Sequence, residues 1–235
     1  MRVLKWSLLL LCLTTAAAGR AADATLALDF YSAYVWRGIT LNDGLVFAPS
    51  VDIANIGDFT LNVWGNMDLD DYNGALESGE FSENDITLSY AVPVKGFDLT
   101  LGYIEYLFPN GGESTSEVFV SSGFDTGVIS IGVDGYYDFD QVDDYYAKLT
   151  LSRGFPITNR FSLDLSADAG FAGDKMAVGG ESGFHDYNIG LAGAIALAPR
   201  ATLTLTAAYA GSGDEDVLPD QEVDFYGGVG LSYSF

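Results

Sequence analysis

The chain has 235 residues, of which 49% are hydrophobic and only 18% charged, and its 10 basic side chains face 33 acidic ones for a net charge of −23. So apolar a chain is not a disordered acidic tail, which needs low hydrophobicity alongside its charge. The scarcity of Lys and Arg excludes nucleic-acid binding, which rests on neutralising phosphates.

From the N-terminus, Arg2 and Lys5 precede an unbroken run of apolar and small residues from Trp6 to Ala18. A basic start, an apolar stretch and small residues at its end make a secretory signal peptide, predicted here over residues 1–22. The run is shorter than the roughly 20 apolar residues of a spanning helix. The only cysteine, Cys12, lies inside it, so the exported chain would hold together without disulfides. Residues 1–22 carry three basic and no acidic side chains, and their removal takes the net charge from −23 to about −26.

Beyond Ala22 no segment shows a sustained helical period, and what recurs is alternation with period two. Along 59–67, Phe59, Leu61, Val63 and Met67 share one face, and Thr60, Asn62, Trp64 and Asn66 the other. Along 161–171, Leu163, Leu165 and Ala167 oppose Asp164, Ser166 and Asp168. Twelve such segments follow in order, at 25–36, 45–54, 58–67, 84–93, 97–107, 116–124, 128–139, 144–153, 160–172, 184–198, 201–210 and 222–235. Most are longer than the usual five or six or so residues of a soluble strand. They match the roughly 9 to 11 residues with which a tilted strand crosses a bilayer. Merging the weaker sixth and seventh would reduce the count to ten or eight.

The links between them alternate in length. Those at 55–57, 94–96, 125–127, 154–159 and 199–200 are short, whereas those at 38–44, 68–83, 109–115, 173–183 and 211–221 are mostly longer and acidic. Only the link around Gln141 is short where a long one is expected. Short periplasmic turns and longer extracellular loops are the pattern of an outer-membrane barrel. Aromatic residues near segment ends, among them Tyr34, Trp36, Tyr103, Tyr137, Phe139, Tyr187, Tyr209 and Tyr233, fit girdles at the two lipid–water boundaries. A soluble sandwich also alternates, but it explains neither the leader nor the segment lengths. The predicted fold is therefore all-β: a transmembrane antiparallel up-and-down β-barrel of 12 strands over residues 23–235, located in the outer membrane of a Gram-negative bacterium.

The chain ends in an alternating strand closed by Phe235, which resembles the last strand of bacterial outer-membrane barrels, where a C-terminal Phe is an assembly signal. Near the start, Tyr31-Ser32-Ala33-Tyr34-Val35-Trp36-Arg37-Gly38, then Asp43-Gly44 and Pro49-Ser50, resemble the opening of the TorF-like porins, a group of small bacterial barrels. Phe59 to Asn66, Gly102-Tyr103 and Tyr136-Tyr137-Asp138-Phe139-Asp140 are similar to its later strands. The resemblance implies an outer-membrane diffusion channel and brings no catalytic residue.

With the apolar parity given to lipid, the inner parity holds Asp29, Asp52, Asn62, Asp85, Asp98, Glu117, Asp134, Asp138, Asp144, Asp164, Asp168, Asp186, Asn188 and Asp224. Only Lys148 and Arg37 are basic candidates there. An acidic lining attracts cations and repels anions. The expected function is a porin-like channel for small neutral or cationic solutes, its selectivity set by Asp29, Asp52, Asn62, Asp134, Lys148, Asp164, Asp168, Asp186 and Asp224. The competing reading is a non-conducting structural or surface-binding barrel with cation-binding loops. Glu105 and His185 fall on the lipid parity, near the outer ends where a charge costs least. The first strand begins so soon after the leader that no N-terminal segment is left to plug the bore.

An enzyme is not expected. Serine hydrolases of barrel architecture need Ser and His together; the single histidine here, His185, lacks such a neighbour in sequence, and no Gly-x-Ser-x-Gly elbow is present. Asp68, Asp70, Asp71, Asp214, Glu215 and Asp216 are weak candidates for Ca²⁺ or for divalent bridges to lipopolysaccharide. No cofactor is expected. The expected partners are outer-membrane lipids, lipopolysaccharide and the barrel-assembly machinery.

Overall fold

A computed structural model describes residues 22–71 and 77–235; the leader, save for Ala22, lies outside them. Twelve strands close into one antiparallel barrel: β1 (Asp23–Tyr31), β4 (Val46–Ile56), β5 (Phe59–Asp68), β6 (Phe81–Ala91), β7 (Asp98–Leu107), β8 (Thr115–Asp125), β9 (Ser130–Asp138), β10 (Asp144–Pro156), β11 (Phe161–Ala172), β12 (Gly183–Ala198), β13 (Ala201–Ser212) and β14 (Phe225–Ser234). Each pairs with its sequence neighbours, and β1 completes the ring by pairing with both β4 and β14. Closure leaves no unpaired edge, which is what allows strands to cross a bilayer.

Alternation along these strands sorts the side chains as the sequence suggests. Leu28 and Phe30 on β1, Val63 on β5, Leu101 on β7, Leu165 on β11 and Leu205 on β13 are each between about a third and a half exposed. In a soluble sandwich this parity would be the core. Here it forms a continuous apolar outer belt. Aromatic pairs mark its margins: Tyr103 with Phe139 and Tyr187 with Tyr209 toward the long links, Phe59 with Tyr90 and Tyr233 with Phe235 toward the short turns. At one short turn Asn55 and Gly57 both take positive φ, 60° and 67°, a conformation that Asn tolerates and Gly adopts freely.

The first predicted strand, 25–36, is not one strand. β1 stops at Tyr31, and the chain turns inward into a separate two-stranded hairpin, β2 (Tyr34–Trp36) and β3 (Ile39–Asn42). Tyr34 and Trp36 thus leave the predicted girdle and lie inside the barrel. The alternation is the same for a strand against lipid and for a hairpin packed in a lumen, so periodicity could not separate the two.

A small apolar core sits at the long-link end, where Tyr146, Ala172, Met176, Ala177 and Val217 are buried together and Trp36, Tyr136 and Val142 pack on them. It fastens two of the long links onto the hairpin. The short link near Gln141 is closed by side chains. Asp143 accepts hydrogen bonds from the Tyr137 hydroxyl at 2.6 Å and from Lys175 Nζ at 3.1 Å. These hold its carboxyl below the usual aspartate range, the tyrosine contributing most.

Candidate functional site: the lumen

All the predicted lining residues on strands project inward. Asp29, Asp52, Asn62, Asp134, Lys148, Asp164, Asp168 and Asp186 alternate with the exposed apolar belt, while Asp224 lies just before β14 and is exposed at the rim. Side chains from other strands tie several of them down. Asn62 Nδ2 donates to Asp52 (2.9 Å), Thr150 Oγ1 to Asp168 (2.6 Å) and the Tyr146 hydroxyl to Asp186 (2.9 Å).

A second device keeps carboxylates against the wall. Asp29 pairs across the ladder with Gly230, Asp98 with Gly123 and Asp164 with Gly154. A Cβ on Gly154 would come 2.8 Å from Asp164 Oδ1, and one on Gly230 would collide with Asp29 Oδ1. Each aspartate lies over the bare backbone of its glycine, so charge lines the wall without filling the bore.

Bases do not balance these acids. Lys148 is 3.5 Å from Asp134. Arg37, at the tip of the β2–β3 hairpin, forms a two-pronged pair with Glu117 on β8 at 2.8 and 2.7 Å, with side-chain exposures of only 8% and 2%. Its guanidinium also stacks 4.3, 4.7 and 4.4 Å from the ring centres of Trp36, Tyr136 and Tyr146. The Tyr106 hydroxyl donates to the same Glu117 at 2.9 Å. A planar cation with five donors satisfies the carboxylate and the rings together, as lysine could not.

These contacts make the hairpin a crossbar. It enters between β1 and β4 and reaches β8, β9 and β10 on the far side of the ring. On the way Tyr34 donates to Glu83 (2.9 Å) and Asn42 to Asp68 (2.7 Å). Thr40 N donates to Gln221 Oε1 (3.0 Å), and Val223 N to Thr40 Oγ1 (3.2 Å). Gly38, at φ 77°, passes so close to β12 that a Cβ would strike Asp186 and come 2.9 Å from Leu218. A cavity of about 600 Å³ lies on one side of the hairpin, against Tyr34, Trp64, Asn66, Asp164, Thr206 and Tyr226. On the other side a cavity of about 340 Å³ is bounded by Trp36, Ile39, Leu41, Tyr106, Phe108 and Met176. Among the described residues it is this internal hairpin that crosses the bore.

Two sequence expectations need correction. His185 does not face lipid. A bulge sets both His185 and Asp186 against Gly170, between the pairs Ala169 with Tyr187 and Phe171 with Phe184. His185 is thereby turned in, 1% exposed, with Nδ1 2.9 Å from Asp186 and its ring edge-on to Tyr146. An extra residue in a strand inverts the parity locally, and no residue type announces it. Likewise Asp68 and Glu83 are not loop residues. The strands run further than the alternation indicates, and both carboxylates are buried on the inner face. Glu105 does take the outer parity near the long-link end, where it accepts hydrogen bonds from Ser116 and Tyr103.

The remaining acidic runs shape turns. Asp71 Oδ1 accepts from the backbone of Ser78, Asp70 Oδ1 from that of Asp71, and Asp214 Oδ1 from that of Asp216. Among the described residues no group of three or more His, Cys, Asp or Glu side chains is arranged to hold a metal ion. Phe235 closes the barrel seam, its N–H donating to Ala24 O at 2.9 Å while its ring stays exposed.

No protein-family model matches the sequence, and no curated protein matches it. Solved structures match the fold along nearly its full length. The NanC porin aligns with a TM-score of 0.57 at 11% identity, over 91% of this chain and 99% of its own. The KdgM porin in complex with disordered oligogalacturonate gives 0.58 at 8%, over 91% and 99%. An outer-membrane channel from Pseudomonas putida F1 gives 0.56 at 11%, over 93% and 97%. At such identities the likeness establishes a shared fold, that of small outer-membrane porins and channels.

Proposed function

We propose that the protein is a porin-like channel of the outer membrane, exported by the leader at 1–22, through which small neutral or cationic solutes diffuse along an acidic bore. The observation that carries this is the inner face itself: a ring of wall-hugging aspartates whose only basic companions among the described residues, Arg37 and Lys148, are each already paired with an acid. A single uncompensated carboxylate about 8 Å from a passing charge contributes on the order of 2 kcal/mol at an effective dielectric near 20. That alone favours a monovalent cation over an anion by more than about tenfold. The neighbour whose structure contains oligogalacturonate, a polyanion, shares the fold; an acidic lining repels a polyanion, so such a solute is disfavoured here. The resemblance of the chain's opening segment to the TorF-like group supports the same reading. So do lipid and lipopolysaccharide around the apolar belt and recognition of the last strand by the assembly machinery.

Purified protein in a planar bilayer tests the proposal. Discrete conductance steps with a reversal potential favouring cations are expected. Silence, or preference for anions, refutes it. The hairpin crossing the bore is the one feature favouring a closed structural barrel, and silence in the same experiment would select that alternative.

A further inference from the structure

The larger cavity beside the hairpin carries an orphaned acceptor in its wall. Asn66 on β5 lines the cavity, and its Oδ1 is buried without any donor. Asn66 and Asp68 are themselves fully buried. The orientation of Asn66 is dictated, because its Nδ2 donates to both Asp68 Oδ1 (3.1 Å) and Ser82 Oγ (2.9 Å), and turning the amide would set oxygen against carboxylate. Asn42 spends its own Nδ2 on the same Asp68 oxygen. Buried acceptors left without donors are costly, and native proteins seldom keep them unless something else supplies the donor.

The surroundings define that donor. Trp64, which pairs across the ladder with Asp85, and Tyr34 stand with ring centres 5.6 Å apart on the cavity wall. Asp164 lines the opposite side, and no Lys or Arg is among the lining residues. Aromatic faces and the Asp164 carboxylate attract a cation, the orphaned Asn66 oxygen wants an N–H group, and about 600 Å³ is within the usual range for a small-molecule pocket. We propose that this chamber is a binding site for a small organic cation carrying N–H donors, a primary ammonium or a guanidinium on an apolar body. The inference deepens the channel proposal by naming its solute class, since the ligand reaches the chamber along the bore.

Three probes of one shape test it on the detergent-purified full chain: benzylammonium, benzyl alcohol and benzoate, with binding read by tryptophan fluorescence and by calorimetry. Benzylammonium is expected to bind saturably, and the other two at least about tenfold more weakly. Asp164→Asn and Trp64→Leu should each weaken benzylammonium by about tenfold, with an unchanged strand signal in circular dichroism showing the barrel intact. If either fails to fold, Tyr34→Leu supplies the same test from the hairpin side of the chamber. Equal binding of the alcohol, or full affinity in folded variants, overturns the site. So does occupation by Ca²⁺ alone that benzylammonium cannot displace. Bilayer conductance of the same preparation separates the two proposals: binding without conductance removes the channel and leaves the site, and cation conductance without binding does the reverse.

Discussion

Replacing Glu117 by Gln probes the crossbar directly. The substitution keeps the size of the side chain but leaves the Arg37 guanidinium, 8% exposed and now 2.7–2.8 Å from a neutral amide, without its counter-charge. Breaking a buried ion pair from one side costs about 3–5 kcal/mol. The glutamine carbonyl still accepts one hydrogen bond and the three rings still stack on the cation, so the lower end applies. Three kcal/mol is on the order of a hundredfold in the ratio of docked to released hairpin. The tip would be freed, while Thr40–Gln221 and Asn42–Asp68 continue to hold the stem. In planar bilayers Glu117→Gln should give larger and noisier conductance steps than the parent. The cation preference should also fall, because an unpaired Arg37 now faces the bore. Steps of unchanged size, noise and selectivity in a variant that folds normally would refute the view of the hairpin as the constriction.

Two further outcomes bear on the wall and the seam. Gly230→Val should destabilise the barrel by about 1–3 kcal/mol, a typical cost of overpacking, because the new side chain displaces the Asp29 carboxylate; adding Asp29→Ala should restore most of the loss, and additive effects in urea titrations would contradict the pairing. Removal of Phe235, whose backbone N–H caps the seam while its ring projects outward, should leave most of the chain unassembled in cells, measured as the fraction recovered as folded barrel in the outer membrane; normal assembly would show that the terminal ring is not read.

The barrel was legible in the sequence because a strand between lipid and water imposes period two on every residue it contains. Runs such as 161–171 therefore identify both the strand and the face on which Asp164 and Asp168 lie. Legibility ended where a different environment produces the same period. Tyr34 and Trp36 alternate because they pack between lumen walls. The signals of the hairpin were Gly38 after Arg37 and the small pair Ser32-Ala33, which allow the chain to leave the wall. His185 was misplaced because a bulge shifts parity by one without altering composition. Asp68 and Glu83 were assigned to a loop because carboxylates at a strand end resemble loop residues until the partners Asn42 and Tyr34 are known, and those come from the hairpin.

The crossbar also constrains the order in which the chain can be assembled. Arg37 and Glu117 are 80 residues apart, Thr40 and Gln221 are 181 apart, and the Thr25–Ser234 contact of the seam spans 209. The Arg37–Glu117 pair needs only β8, whereas the Thr40 contacts need the link leading into β14. A hairpin already anchored on β8 would act as an internal former: the later strands curl around it, and the last link to arrive fastens onto Thr40 as the first and last strands meet. Closing such long loops costs entropy that grows only slowly with their length, so docking the tip early would spare much of the search for the final seam. A barrel without the anchor would then lose speed of closure as well as definition of its bore.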